Sequence, residues 1–255
     1  MRVLVTRPER EAQRWVHELR QRGLDADALP LIAIGPPPDE QPVRQAWQQL
    51  DGYHAVMFVS GNAVTQFFRL QPAASQWPLS VRTWAPGPGT RDALLTAGVP
   101  RGCIDEPAQD AGQFDSEALW AQVSDQLRPG QRVLLVRGGD AQGRGAGREW
   151  LAEQLTVRGL EVDSVVSYVR RAPEWTPAEY ALAGHGSRDG SIWLFSSSEA
   201  ILHLRSLLPC EPWDLARAVV THPRIAEAAH AAGFGVVCLS RPTLPDVVAS
   251  IESIR

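Results

Sequence analysis

Apolar and polar positions along the chain alternate between two periods. Short apolar runs such as VLVTR (3–7), MFVS (57–60), VLLVR (133–137) and LFSS (194–197) end in turn residues, as strands do. Between them lie segments with apolar residues at helical spacing. In EREAQRWVHELRQ these are Ala12, Trp15, Val16 and Leu19. The recurring unit is a strand, a turn of Gly, Ser, Pro or Thr, then an amphipathic helix ending in Gly. Strands alternating with helices of about ten to fifteen residues predict parallel, doubly wound sheets with right-handed crossovers.

The pattern is written twice. RGLDAD (22–27) returns as RGLEVD (158–163), 158 − 22 = 136 residues later. Before each stands an apolar strand, VLVTR or VLLVR. After each comes an extended apolar segment, ALPLIAI (28–34) or SVVSYV (164–169). MFVSGNAV (57–64) matches LFSSSEAI (194–201), and WAPGPGTRDALLTAGV (84–99) matches VVTHPRIAEAAHAAGF (219–234). The duplicated units cover 1–35, about 42–127, 131–171 and about 177–255, which predicts two α/β domains. Gly23 and Gly159 are expected to be left-handed helix caps. The second copy alone carries a glycine-rich insertion, GGDAQGRGAG (138–147). The proline segments GPPPDEQP (35–42) and APEWTP (172–177) are the linker candidates. GHGSRDG (184–190) reads as a loop tip.

Composition narrows the chemistry. The chain has 25 arginines and no lysine, which excludes a lysine Schiff base, a pyridoxal anchor and a P-loop lysine. A net charge of −4 gives no footprint for nucleic acid. No apolar run approaches the roughly 18 residues of a membrane span, and MRVLVTRPERE is not a secretory signal. Cys103, Cys210 and Cys238 form no CxxC pair, so neither a disulfide framework nor a cysteine zinc site is expected. A cytoplasmic setting is the expectation. No histidine pair has HExxH spacing, and no metal is expected. His185 and His222 read as loop residues.

Doubly wound sheets bind ligands beyond the C-terminal ends of their strands. The substrate-binding candidates there are Thr6, Arg7, Ser60, Gly61, Asn62, Gly89, Thr90, Arg137, Gly138, Ser197, Ser198, Thr221 and His222. Taken singly, hydroxyls at helix starts are N-caps. As a set, with free amides and positive helix ends, they make anion-binding rims. GPGTRD (87–92) lacks the third glycine of GxGxxG, and there is no GxSxG elbow. Asp110, Glu117, Glu149 and Glu153 read as acids on solvated helix faces. Tyr168, one of three tyrosines, ends a strand beside the second linker. It reads either as an ordinary strand aromatic or as a phenol able to donate a proton.

These pieces stand in an order that resembles the uroporphyrinogen-III synthase family. They are VLVTRP (3–8), PLIAI (30–34), SGNAV (60–64), WP (77–78), GPGT (87–90), DSEAL (115–119), RVLLVRG (132–138), GREWLAEQL (147–155), RGLEVDSVVSYVRR (158–171) and SSSEA (196–200). They span nearly the full length. The resemblance implies two doubly wound, flavodoxin-like parallel-sheet domains joined by a two-stranded linker. Domain 1 would be 1–35 plus 173–255, domain 2 would be 36–172, and the active site would lie in the cleft between them. It further implies a monomeric lyase that cyclises the linear tetrapyrrole hydroxymethylbilane. The terminal hydroxyl leaves as water, and the azafulvene attacks the substituted carbon of the last pyrrole. The spiro intermediate then fragments and recloses with that ring inverted.

No organic cofactor or metal is implied, and the implied partners are the polycarboxylate substrate and a transient hand-over from the bilane-making enzyme. No nucleic-acid or membrane partner is implied. The family's catalytic tyrosine falls on Tyr168 and its domain 2 threonine on Thr90. THPRI (221–225) departs from members with a glycine and threonines in that turn, leaving Thr221 or backbone amides for the role near Arg224 and Ile225. The insertion at 138–147 is longer than the family's RGNGGRE-like turn. Two competing readings are a non-catalytic two-lobed binding module for a small anion and a nucleotide or sugar-phosphate enzyme. Against a periplasmic version of the first stands the missing signal peptide, and against the second the missing lysine and weak glycine motifs.

Overall fold

The computed structural model describes residues 1–73, 75–108, 116–140, 143, 145 and 150–254. In chain order the elements begin with β1 (Val3–Val5), α1 (Glu9–Arg20), β2 (Ala26–Ala28), β3 (Ala33–Gly35) and α2 (Gln41–Gln48). Next come β4 (Ala55–Phe58), α3 (Gly61–Phe68), β5 (Arg82–Trp84), α4 (Pro88–Thr96), β6 (Ile104–Asp105) and α5 (Ser116–Val123). They continue with β7 (Arg132–Gly139), α6 (Trp150–Val157), β8 (Glu161–Arg171), α7 (Pro177–Gly186), β9 (Ile192–Phe195) and α8 (Ser198–Leu207). The chain closes with β10 (Arg217–Val220), α9 (Pro223–Ala232), β11 (Val236–Leu239) and α10 (Leu244–Ser253). His185 therefore belongs to the last turn of α7, not to a loop. A chain of small residues, ALAGHG, continues that helix where the glycines suggested a tip.

Two compact units result: Met1–Ala33 with Arg171–Arg255, and Ile34–Arg170. The first holds a five-stranded sheet in the order β11-β10-β9-β1-β2. Its pairs are parallel. Numbered along its own chain, that order is 2-1-3-4-5, the flavodoxin-like winding. The second holds a six-stranded sheet, β3-β8-β7-β4-β5-β6. If β7 and β8 are counted first, five of its strands repeat 2-1-3-4-5, and their pairs are again parallel. The second unit is a circular permutation of the first, with β3 added at its edge. The sequence repeat has the same correspondence: β1 with β7, β4 with β9, β5 with β10.

Strands covered on both faces read as continuous apolar runs, because neither face meets water. Every residue of β1, β4 and β9 is buried. In the first unit Trp193, Phe195, Trp213 and Phe234 pack ring against ring. In the second Trp47, Phe58, Phe67, Phe68 and Trp77 do the same. Such pairs add about 0.5–1.5 kcal/mol each beyond their buried area.

The extended segment ALPLIAI serves two sheets. Leu29 and Leu31 donate N–H bonds to Val5 O and Thr6 O at 3.0 and 3.2 Å. Pro30 between them has no N–H to give, so the regular ladder ends there. Its carbonyl accepts from Trp175 Nε1 at 3.1 Å, and Leu31 O lies 2.7 Å from His203 Nδ1. The chain then enters the other sheet as β3, beside β8.

The doubled RGL phrase ends a helix in each unit. Gly23 (φ 76°) and Gly159 (φ 80°) are left-handed. Gly23 N–H bonds to Arg20 O and Leu24 N–H to Leu19 O; Gly159 and Leu160 repeat this with Thr156 O and Leu155 O. Each pair satisfies helix carbonyls that would otherwise be orphaned. Space is not what demands glycine at 23, since an added Cβ would meet nothing within 4 Å. The backbone angle alone sets the requirement. Gly23→Ala is therefore expected to cost about 1–2 kcal/mol of stability. Denaturant unfolding with an unchanged slope would show it, and an unchanged midpoint would contradict the strain argument.

Candidate functional site

In the second unit, β4 ends at Phe58 and the chain turns into α3. Ser60 is extended (φ −164°) and caps the helix, its Oγ accepting from Ala63 N–H at 3.2 Å. Gly61 and Asn62 form the first turn. A Cβ on Gly61 would stand 3.4 Å from Gly89 O and 3.5 Å from Ala93 Cβ, so α3 and α4 start side by side. Helix α4 begins after β5 with Gly87 as a cap that offers no side chain, and Pro88 fills a position that needs no N–H. Thr90 is buried in the first turn.

Tyr168 reaches this rim from β8 through a break in register. Arg137 pairs with Val166 but Gly138 pairs with Tyr168, so Ser167 is an extra residue in the ladder. Strict alternation would put Tyr168 on the face of Val166. The bulge turns it onto the face of Val165, in the core cluster that also holds Phe58, Ala63 and Val136. Its phenol oxygen lies 3.2 Å from Ser60 Oγ, and either group can donate. Ser167 Oγ donates to Ala63 O at 3.2 Å, so the bulge residue also holds the first turn of α3. Across the ladder, Gly138 lies under the ring: a Cβ there would fall 2.5 Å from Tyr168 Cζ and 2.8 Å from its oxygen. Arg137, one residue earlier, donates from Nε to Ser164 Oγ at 2.7 Å.

The first unit builds the corresponding rim. Ser197 caps α8, its Oγ accepting from Glu199 N–H at 3.2 Å. His222 caps α9 through Nδ1, which accepts from Arg224 N–H at 3.1 Å and so carries no proton there. Ser196, Ser197, Ser198, Thr221, His222, Arg224 and Ile225 line a cavity of about 380 Å³ at these two helix starts. Thr6 and Arg7, at the end of β1, are set apart from that cavity. Thr6 is 1% exposed and its hydroxyl donates to Leu194 O at 2.8 Å. Arg7 lies with its guanidinium 4.5 Å above the Trp15 ring, and its Nη1 is 3.4 Å from Glu11 Oε2. Burial lowers the pKa of Arg7, and the Glu11 carboxylate works against that.

The structure thus brings together Ser60, Gly61, Asn62, Gly89, Thr90, Gly138 and Tyr168 in one unit. In the other it gathers Ser197, Ser198, Thr221 and His222. Ser196, Arg224 and Ile225 are lining residues beyond those expected, though the SSS triplet and the THPRI turn carried the signal. Ser167 had no signal except a three-residue spacing between the core residues Val165 and Tyr168. Among the described residues, no group of three His, Cys, Asp or Glu side chains gathers as a metal site. Among them, too, no helix is long and apolar enough to cross a membrane. Glu117 lies in the first turn of α5, while Asp110 and Glu149 lie outside the described residues, as does half of the glycine-rich insertion.

The contact between Gly138 and Tyr168 makes a direct test of the geometry. Gly138→Ala is expected to cost about 1–3 kcal/mol of stability by overpacking. In a Tyr168→Ala background that penalty should vanish, because the ring it collides with is gone. A double-mutant cycle by chemical denaturation measures the coupling. Additive effects would show that the ring does not rest on Gly138.

Comparison with known proteins agrees with this architecture. A family model described as uroporphyrinogen-III synthase HemD matches residues 13–249. The uroporphyrinogen-III synthase of Salmonella typhimurium is 32% identical over 239 residues, covering 92% of each chain. That of Escherichia coli is 29% identical over 242 residues, again covering 92% of each. Among solved structures, uroporphyrinogen-III synthetase from Helicobacter pylori is similar with a TM-score of 0.59 at 18% identity, over all of both chains. A mutant uroporphyrinogen III synthase from the extremely thermophilic bacterium Thermus thermophilus scores 0.54 at 17% identity, covering 100% of this chain and 98% of that one. These two likenesses establish a shared fold. From the family model and the Salmonella relative, the chain belongs to the uroporphyrinogen-III synthase family.

Proposed function

We propose that the helix-start rims bind the carboxylates of hydroxymethylbilane, and that Tyr168 helps to expel its terminal hydroxyl. As a uroporphyrinogen-III synthase the chain is a lyase of tetrapyrrole biosynthesis. The observation that carries the proposal is the doubling of the rim. In each unit, two adjacent parallel strands end in helix starts capped by hydroxyl, glycine or imidazole. Helix starts present free amides and positive dipole ends, which suit carboxylates. A tetrapyrrole carries acetate and propionate groups along its whole length, which is the chemistry such rims suit.

Holding is the main catalytic task. The hydroxyl leaves readily once it receives a proton, and the bilane closes without inversion in the absence of any enzyme. An enzyme must therefore fix the conformation in which the substituted carbon of the last pyrrole is attacked. In this reading Gly61, Asn62, Gly89 and Thr90 grip from one unit, with Arg137 nearby. Ser197, Ser198, Thr221 and His222 present the same kind of groups in the other unit, with Arg224 lining the same cavity as they do. Thr6 shapes its rim from within, through Leu194. The Tyr168 phenol donates a hydrogen bond or proton to the departing oxygen; water leaves, and the azafulvene remains. After the ring has inverted and closed, the proton lost from the attacked pyrrole restores the balance.

The bilane is itself reactive. Receiving it directly from the enzyme that makes it, in the cytoplasm, leaves the least time for unaided closure and completes the proposal. The family match favours this reading over a non-catalytic anion-binding module.

Three measurements test it. Supplied with hydroxymethylbilane, the protein should give the type III isomer after oxidation and separation of products. Type I product alone would refute the function. Tyr168→Phe should lower turnover by at least about tenfold while the type III isomer persists. Wild-type turnover would remove Tyr168 from the mechanism. Gly89→Ala separates fold from ligand, because an added Cβ meets no protein atom within 4 Å. Stability should hold or rise by up to about 1 kcal/mol. KM should nevertheless increase, since the methyl group occupies the approach to the α4 amides; an unchanged KM would place the substrate elsewhere.

A further inference from the structure

We infer that Ser60 is a positioning residue for Tyr168, so that the start of α3 sets where the phenol points. This rests on the reading of Tyr168 as the proton donor, and it assigns Ser60 a role other than contact with the substrate.

Three observations converge on it. The Ser60 oxygen meets Ala63 N–H at 3.2 Å and the Tyr168 oxygen at 3.2 Å. The first contact ties the serine to the helix, and the second ties the helix to the phenol. Next, Tyr168 is only 4% exposed, and its ring rests on Gly138. A buried hydroxyl needs a partner, because leaving it unpaired costs more than the bond itself gains. Finally, Ser167 grips the same turn through Ala63 O at 3.2 Å. Strand β8 is therefore fastened to the first turn of α3 by two consecutive residues, and of these two bonds only the one to Ser60 acts on the phenol.

The chemistry follows from the hydroxyl's limited capacity. Ser60 has one proton and two lone pairs, and one lone pair is held by Ala63 N–H. When Tyr168 donates to Ser60, its proton points away from any substrate. When Ser60 donates to Tyr168, the phenol proton is free to point outward. The serine rotor thus selects between a stored and a presented phenol proton, with no change in the backbone.

Glycine is nearly as good as serine at a helix N-cap, differing by only a few tenths of a kcal/mol. Ser60 is already extended, so Ser60→Gly removes the hydroxyl and leaves the helix start intact. Turnover should fall roughly five- to tenfold, the value of one hydrogen bond, with little change in KM. In a Tyr168→Phe background the same substitution should change turnover less than about twofold, because the group it acts on is absent. Ser60→Thr keeps both the cap and the hydroxyl, and should retain most of the wild-type turnover.

The outcomes separate cleanly. If Tyr168→Phe alone turns over like wild type, the reading of Tyr168 fails. If that variant is slow but Ser60→Gly is normal, or multiplies with it, the positioning role is overturned. A raised KM for Ser60→Gly in both backgrounds would instead make Ser60 a substrate ligand and overturn it equally. Should Ser60→Gly fail to fold, Ser60→Thr decides: retained turnover supports the inference, and an inactive variant of native stability sinks it.

Discussion

The pairing of β1 with β9 is the constraint on which the first unit depends. Three residues, Val3, Leu4 and Val5, lie between β2 and β9 and are at most 1% exposed. Thr6 continues the pairing with a buried hydroxyl bond to Leu194, 188 residues away. Bringing such distant segments together carries a loop-closure cost that no local contact offsets. The first sheet cannot acquire its central pair until the chain has built 34–170 and returned. The second unit carries no such burden: its strands β4 to β8 are contiguous in the chain, and its central pair joins Ala55 to Val133. The duplication thus yields two similar sheets with different folding requirements, because the chain is cut at different points in each.

The same cut explains why the copies diverge where they do. In the first copy the strand after the RGL turn is short, since Pro30 ends the ladder and the chain leaves for the other sheet. Its counterpart β8 runs for 11 residues because no proline ends it. That extra length carries the strand past the point where β7 reaches Gly138. The bulge is inserted at that end of the pairing, between Arg137 and Gly138. The bulge puts Tyr168 on the α3 face, and the missing side chain of Gly138 makes room for its ring.

Much of this was legible in the sequence, and the reasons are local. Helix caps, left-handed glycines and apolar runs are decided within a few residues. Gly23 and Gly159 could therefore be read from RGL and its flanks, and Ser60, Ser197 and Thr221 could be placed at strand ends. The repeat marked the duplicated units, and the resemblance to the family, not the repeat, indicated which of them share a domain. Contacts set by tertiary register were not legible. Ser60 and Tyr168 are 108 residues apart, and period-two alternation points Tyr168 the wrong way. A bulge has no pattern of its own, since it is one residue too many in an otherwise regular strand. Thr6 misled for a related reason. A hydroxyl at a strand end looks ligand-facing in sequence, and only the neighbouring strand shows that its bond runs inward.

The absence of lysine sharpens the electrostatics of the proposed grip. Every side-chain cation other than histidine is an arginine, which stays protonated across the accessible pH range. Helix-start amides and hydroxyls do not titrate there either. On this view the rims keep their affinity for carboxylates as pH rises, and carboxylate ionisation in the substrate decides how strongly they act. Arginine's planar fork also pairs with carboxylates in defined directions, where an ammonium would act as a point charge. Direction is what a conformational catalyst needs. A substrate that cyclises unaided in the wrong sense has to be restrained at several points along its length. Groups that fix orientation accomplish this, whereas a general excess of positive charge would bind the same carboxylates without choosing a fold for the chain between them.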